Sequence, residues 1–180
     1  MKKLVLLITM LMLYSCSTYP RISTNQKGVD PVFKPYVEDY RIIIGKDKYE
    51  EKFKKLHINF AVLDGDTVGR CWWLGNGGFE IEIDTDWWQR NMFYGDERKF
   101  VMYHELEHCM RYRLHTNRVN EIDSVIDFLD EMGYYLGVIP KPGYLKDGCP
   151  ASLMHSHVMS PTCRQKHYVY YIEEMMNYEN

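Results

Sequence analysis

From Asp96 to Tyr112 the chain runs DERKFVMYHELEHCMRY, with acidic residues at the start, Arg111 near the end, Arg113 just beyond, and no glycine or proline between. Such a segment reads as one helix, because those charges offset the helix dipole and nothing interrupts the hydrogen-bond ladder. Within it, His104 and His108 lie about 40° apart in azimuth and about 6 Å apart along the axis, so both rings leave one face and can share an ion. A third histidine, His115, constrains the fold more sharply. On a continuing helix it would sit about 10 Å beyond His108, out of bonding reach. For His115 to join the others, the helix must end near Tyr112, where a non-glycine residue must turn left-handed at about 1–2 kcal/mol, a cost that metal binding can offset.

Two imidazoles on one helix face supply half of a tetrahedral zinc shell; a catalytic zinc takes a third protein ligand and keeps a position open for water. Glu105 lies beside His104, placed to take a proton from that water as general base without ligating the metal. His104-Glu105-Leu106-Glu107-His108 is an HExxH motif, expected by chance about 0.02 times at this His and Glu content. It resembles the zincin metallopeptidases. The longer run HELEHCMRYRLH resembles a group of small bacterial metzincin-like proteins that read HELGHC followed by Arg-x-His; His104, Glu105, His108, Cys109, Arg113 and His115 fall on that pattern, and Glu107 replaces its glycine. The usual metzincin spacing, HExxHxxGxxH, is not kept: His115 comes one residue late and Arg111 stands where glycine would.

The resemblance implies one zinc ion held by His104, His108 and His115, with Glu105 as catalytic base and acid. It also implies a Met-turn beneath the metal, which SLMH at 152–155 can supply through Met154, with Met159 as the alternative. Other third ligands remain open: Glu121 in NEIDS, and His155 or His157 beside the proposed turn. Either of those two histidines could instead hydrogen-bond a transition-state oxyanion. Glu107 precedes Arg111 by four residues and reads as a surface ion pair. His57 and His167 read as structural.

The segment HINFAVLDGD alternates Ile58, Phe60 and Val62 and then meets an Asp-Gly turn, so it reads as a strand, with TVGRCWWL as its neighbour. After the GNGG turn at 75–78, FEIEID at 79–84 alternates apolar and acidic residues, which predicts a strand with one wet face. Under the family resemblance this strand is an edge that pairs with extended substrate, and Trp87 and Trp88 either line the cleft or pack at the sheet edge. Helices are expected over 33–44, about 119–132 and, with Ser160 as cap and Pro161 in the first turn, from 160 to about 176. The charged stretch KDKYEEKFKK reads as solvated surface. The class is α+β, and the resemblance makes it zincin-like: a small mixed or antiparallel sheet packed against the active-site helix, with further helices C-terminal.

The N-terminus is of another kind. Lys2 and Lys3 precede an apolar run from Leu4 to Leu13, too short to span a bilayer, and the run ends in LYSC. This resembles the lipobox of bacterial lipoproteins. It implies a signal peptide over 1–15, lipidated Cys16 in a flexible spacer over 16–31, a domain over 32–180, and a membrane anchor facing the periplasm or the cell surface. Removing residues 1–15 takes Lys2 and Lys3 from 22 basic residues against 25 acidic ones and leaves a net charge of −5, with no basic stripe for nucleic acid. Export would permit disulfides among Cys71, Cys109, Cys149 and Cys163, with three pairings possible and free thiols also open.

The function expected from these readings is metalloendopeptidase action on a peptide or protein substrate by a lipid-anchored monomer. Two other classes share the histidines: a metal-binding or structural envelope lipoprotein, which does not need Glu105, and a zinc hydrolase of cell-wall peptide cross-links.

Overall fold

The computed structural model describes residues 28–45, 47–116 and 143–178. The signal peptide, Cys16, most of the expected spacer, the expected helix 119–132 and Glu121 lie outside the described residues. The end of the spacer does not run free: Ile58 N donates to Gly28 O (3.2 Å) and Asp30 N to Ile58 O (3.1 Å), so residues 28–30 already belong to the fold.

The fold is α+β, with a small mixed sheet and several helices. Three strands, β1 (Leu56–Ala61), β2 (Gly69–Trp73) and β3 (Phe79–Asp84), form one sheet in the order β1-β3-β2. β3 runs parallel to β1, with Ile58 opposite Ile81, and antiparallel to β2, with Arg70 opposite Glu82. Two expectations are corrected here. The Gly69–Trp73 strand neighbours β3 and not β1, and β3 is the central strand, so the edge strand packed against the Gly95–Arg111 helix is β2.

The central position explains why all six residues of β3 are buried, where alternation predicted a wet face. Phe79, Ile81 and Ile83 enter the core. The acidic face is enclosed yet satisfied: Glu82 accepts from Arg70 Nε and Trp72 Nε1, both at 2.7 Å, and Glu80 accepts from Asn59 Nδ2 at 3.2 Å. Buried carboxylates persist where neighbouring strands bring such donors. β1 follows its apolar alternation only at Leu56 and Ile58. The strand ends at Ala61, Phe60 is exposed, and Val62 is 86 % exposed.

Helix α1 (Lys34–Ile44) carries Pro35 in its first turn, where a missing N–H costs nothing, and buries Val37, Tyr40 and Ile44. A short helix α2 (Glu50–Phe53) precedes β1. Asp84 ends β3 and caps α3 (Thr85–Arg90) by accepting from Trp87 N at 2.7 Å. Trp87 and Trp88 are buried, and Trp88 meets Phe33, Tyr36 and Phe60 edge-on, so both tryptophans belong to packing rather than to a cleft wall.

Helix α4 (Gly95–Arg111) lies between β2 and β3 on one side and α1 on the other, burying Met102, Leu106 and Met110. The expected last helix divides into α5 (Pro161–Lys166), capped by Ser160, and α6 (Tyr168–Asn177), with a break at His167 where that ring reaches Asp147. The cysteines pair as Cys71–Cys109, joining β2 to α4, and Cys149–Cys163, joining the loop before the SLMH segment to α5.

Candidate metal centre

Helix α4 stops where the third histidine requires it to stop. Arg111 is its last residue, and Tyr112 takes φ 55°, ψ 27°, the one positive φ outside glycine among the described residues. Tyr112 N still donates to His108 O (3.1 Å), and Arg113 N turns back to Glu107 O (3.3 Å). Lys52 from α2 secures this turn: its Nζ donates to Met110 O at 2.6 Å and sits 4.0 Å over the Tyr112 ring. A cation at the last carbonyls of a helix also meets the negative end of its dipole. Burial brings the Lys52 ammonium down to about 8, still charged at neutral pH. The KDKYEEKFKK stretch is therefore more than surface, since Lys52 is half-buried and Tyr49 is buried in the core.

The left-handed turn directs residues 113–116 back along α4. His104 Nε2 lies 3.0 Å from His108 Nε2, and His115 Nε2 lies 3.1 Å from each. His104 Nδ1 donates to Leu153 O (2.9 Å), and His108 Nδ1 donates to Arg113 O. With their protons held at Nδ1, both rings turn Nε2 lone pairs toward one point. Enclosure by protein pushes His104 down to about 4 and His108 well below the usual imidazole range, so both are neutral, which is the ligating state. Converging lone pairs repel unless a cation lies among them. Tetrahedral zinc with nitrogens at about 2.0–2.1 Å would hold them about 3.3 Å apart, close to the spacing here. The donor set fits zinc.

Glu105 points from the same helix toward β2. It is 5 % exposed, and burial raises its carboxyl to about 8. A cation nearby would favour the carboxylate. Its neighbour is the Gly69 backbone: a Cβ at Gly69 would lie 2.8 Å from both Glu105 Cγ and Oε1. Gly69 thus lets the edge strand close over the carboxyl. The Cys71–Cys109 bridge ties the same strand to the residue after His108.

Glu107 corrects the surface reading. It is fully buried and accepts from Tyr40 Oη (2.7 Å), Arg111 (3.1 Å) and Arg113 (3.0 Å). The Glu107–Arg111 pair exists, but in the core, where two guanidiniums and a phenol supply what water would. The hydroxyl of Tyr40 is held well above the usual phenol range, by burial first and then by the Glu107 charge. Arg111 goes on to Met175 O (2.5 Å) and Tyr178 O (2.9 Å), fastening the end of α6.

The SLMH segment lies against the triad. Leu153 O holds His104, and Met154, fully buried, accepts at its carbonyl from Thr116 N (2.9 Å), the residue after His115. Met159 belongs to the main core. His155 and His157 do not join the three histidines: His155 Nε2 contacts Tyr144 Oη at 3.1 Å, and His157 is exposed. His57 Nδ1 accepts from Gly28 N, a structural role. Asp147, Cys149 and His167 also come close together, but Cys149 is in a disulfide and Asp147 is paired with Lys166 and His167.

Lys52, Gly69 and Tyr40 carry no local sequence signal for these roles. Arg113 has one, its place in the HELEHCMRYRLH run. Compared with known proteins, the chain matches no family model, no curated protein and no solved structure.

Proposed function

We propose that this chain is a zinc-dependent metalloendopeptidase with a metzincin-like arrangement on a zincin-like fold. One observation carries the reading: three imidazole Nε2 atoms converge within 3.0–3.1 Å, and the buried Glu105 carboxyl lies on the adjoining helix position. His104, His108 and His115 hold the ion, and Met154 forms the turn below it. Zinc held there would polarise a scissile carbonyl and make water acidic enough to lose a proton near neutral pH. Glu105 takes that proton and returns it to the leaving amine, so no covalent enzyme adduct is needed. Gly69 and the β2 backbone wall the Glu105 side.

Attachment to the cell envelope through lipidated Cys16 belongs to the same proposal and rests on the N-terminal residues. Among the described residues no helix is long and apolar enough to cross a membrane.

The test measures zinc per chain and peptide hydrolysis in wild type, Glu105→Gln and His115→Ala. Glu105→Gln should keep one zinc and lose hydrolysis by at least about 100-fold, in line with loss of a general base. His115→Ala should lose zinc. Full activity in the first variant ends the catalytic reading, and full occupancy in the second ends the ligand assignment. A metal-binding protein without catalysis would hold zinc and cleave nothing in wild type.

A further inference from the structure

Each of the three histidines is tied to one small assembly that lies largely outside the HExxH helix. His104 Nδ1 is held by Leu153 O, His108 Nδ1 by Arg113 O, and the residue after His115, Thr116, by Met154 O. The segment 152–154 is in turn clamped from α6. Glu174 accepts from Leu153 N (2.8 Å) and Ser152 Oγ (2.5 Å) and pairs with Arg113. Ser152 Oγ also receives Met154 N (3.0 Å) and Arg113 (3.4 Å). Arg113, fully buried, reaches Glu107 with its other nitrogen.

We propose that Glu174 is a positioning residue for the metal centre: from the last helix it fixes the 152–154 backbone so that Leu153 O turns the His104 ring toward the ion. This rests on the metal-centre reading above. The geometry gives Glu174 two separable links. Its contact with Leu153 N sits one residue's backbone away from the carbonyl that His104 uses. Its pairing with Arg113 locks the same segment to the chain that carries His108's acceptor and leads into His115. A ligand imidazole whose second nitrogen is firmly held keeps its tautomer and its direction, and loss of such support typically weakens metal binding about 10- to 100-fold.

A comparison along α6 separates positioning from simple attachment of the helix. Tyr171, one turn before Glu174, donates its hydroxyl to Pro150 O (2.7 Å), so it hydrogen-bonds the same loop, but at Pro150 rather than at Ser152 or Leu153. The experiment uses the full chain and two metal probes, Zn2+ titrated against a chelator and Co2+ read by its visible ligand-field bands. Glu174→Gln and Ser152→Ala should each weaken Zn2+ about 10- to 100-fold and shift the Co2+ bands, while Tyr171→Phe should leave both unchanged. Ser152→Ala leaves no charge unpaired in the core and carries the test if Glu174→Gln does not fold. Wild-type zinc affinity and Co2+ bands in Ser152→Ala and in any folded Glu174→Gln would overturn the positioning role while the metal centre stands. An equal loss in Tyr171→Phe would also overturn it, because general docking of α6 would then suffice. Failure of the wild-type chain to bind either metal would overturn the metal-centre reading and this inference with it.

Discussion

The two halves of the histidine cluster are built on different principles. His104, Glu105 and His108 sit on the regular part of α4, where backbone hydrogen bonds repeat every residue and fix the side-chain directions. His115 lies beyond the helix, and its position depends on a left-handed tyrosine, a lysine from α2 and a guanidinium that crosses the core. The first half is organised locally and the second by tertiary contacts. Perturbations far along the chain should therefore displace the backbone that carries His115, while the HExxH pair feels them only in ring orientation, as at His104 through Leu153 O.

The largest effect should come from the buried charge that joins the two halves. Glu107→Ala leaves Arg111 and Arg113 without their shared carboxylate in the core. Breaking a buried pair this way costs about 3–5 kcal/mol, a large share of the stability of a domain this size. Denaturant unfolding should show that loss. A change below about 1 kcal/mol would mean the two guanidiniums find other partners.

Next comes the wall over Glu105. Gly69→Val adds a branched side chain where a Cβ already overlaps the carboxyl, so Glu105 or β2 must shift. Zinc content should stay at the wild-type level while hydrolysis falls on the order of 100-fold, the usual consequence of misplacing a catalytic group by about an ångström. This variant touches only the helical half, and loss of zinc from it would show that β2 supports the triad directly.

Lys52→Met tests the other half with a smaller change. It removes the hydrogen bond to Met110 O and the cation over Tyr112 while keeping an apolar stem of similar length. A loss of about 1 kcal/mol in stability is expected, with zinc affinity reduced in the same direction. Metal affinity unchanged within error would place the turn under the control of Arg113 alone.

How much of this was legible follows from the range of the interactions. Helix α4 and the need for a stop near Tyr112 come from spacing along one segment, and the structure places the stop there. Sheet order did not follow from alternation, because FEIEID looks the same in an edge strand with a wet face and in a central strand whose glutamates meet Arg70, Trp72 and Asn59. Glu107 departs from its expected surface position for a similar reason: a Glu-to-Arg pair four residues apart has one sequence form on the surface and in the core. Glu174 and Lys52 could not be seen, since their partners lie 21 and 58 residues away. An even cysteine count left three pairings open, and only the placement of β2 beside α4 selects Cys71 with Cys109.

The smallest and most discriminating change is at Tyr112 itself. Tyr112→Gly removes the left-handed penalty of about 1–2 kcal/mol. Against that it gives up about 0.5–1 kcal/mol in chain entropy, and a further ~0.5–1 kcal/mol with the Lys52 contact. The terms nearly cancel, so the melting temperature should move by only a few degrees and zinc affinity should hold, because the backbone path to His115 is preserved. Tyr112→Val is the opposite case: a β-branched residue resists φ 55° more strongly than tyrosine does, so stability and zinc affinity should fall together. Should valine bind zinc as tightly as wild type while glycine does not, the side chain of Tyr112 rather than its backbone would be what delivers His115, and the two halves of the cluster would differ less than their construction implies.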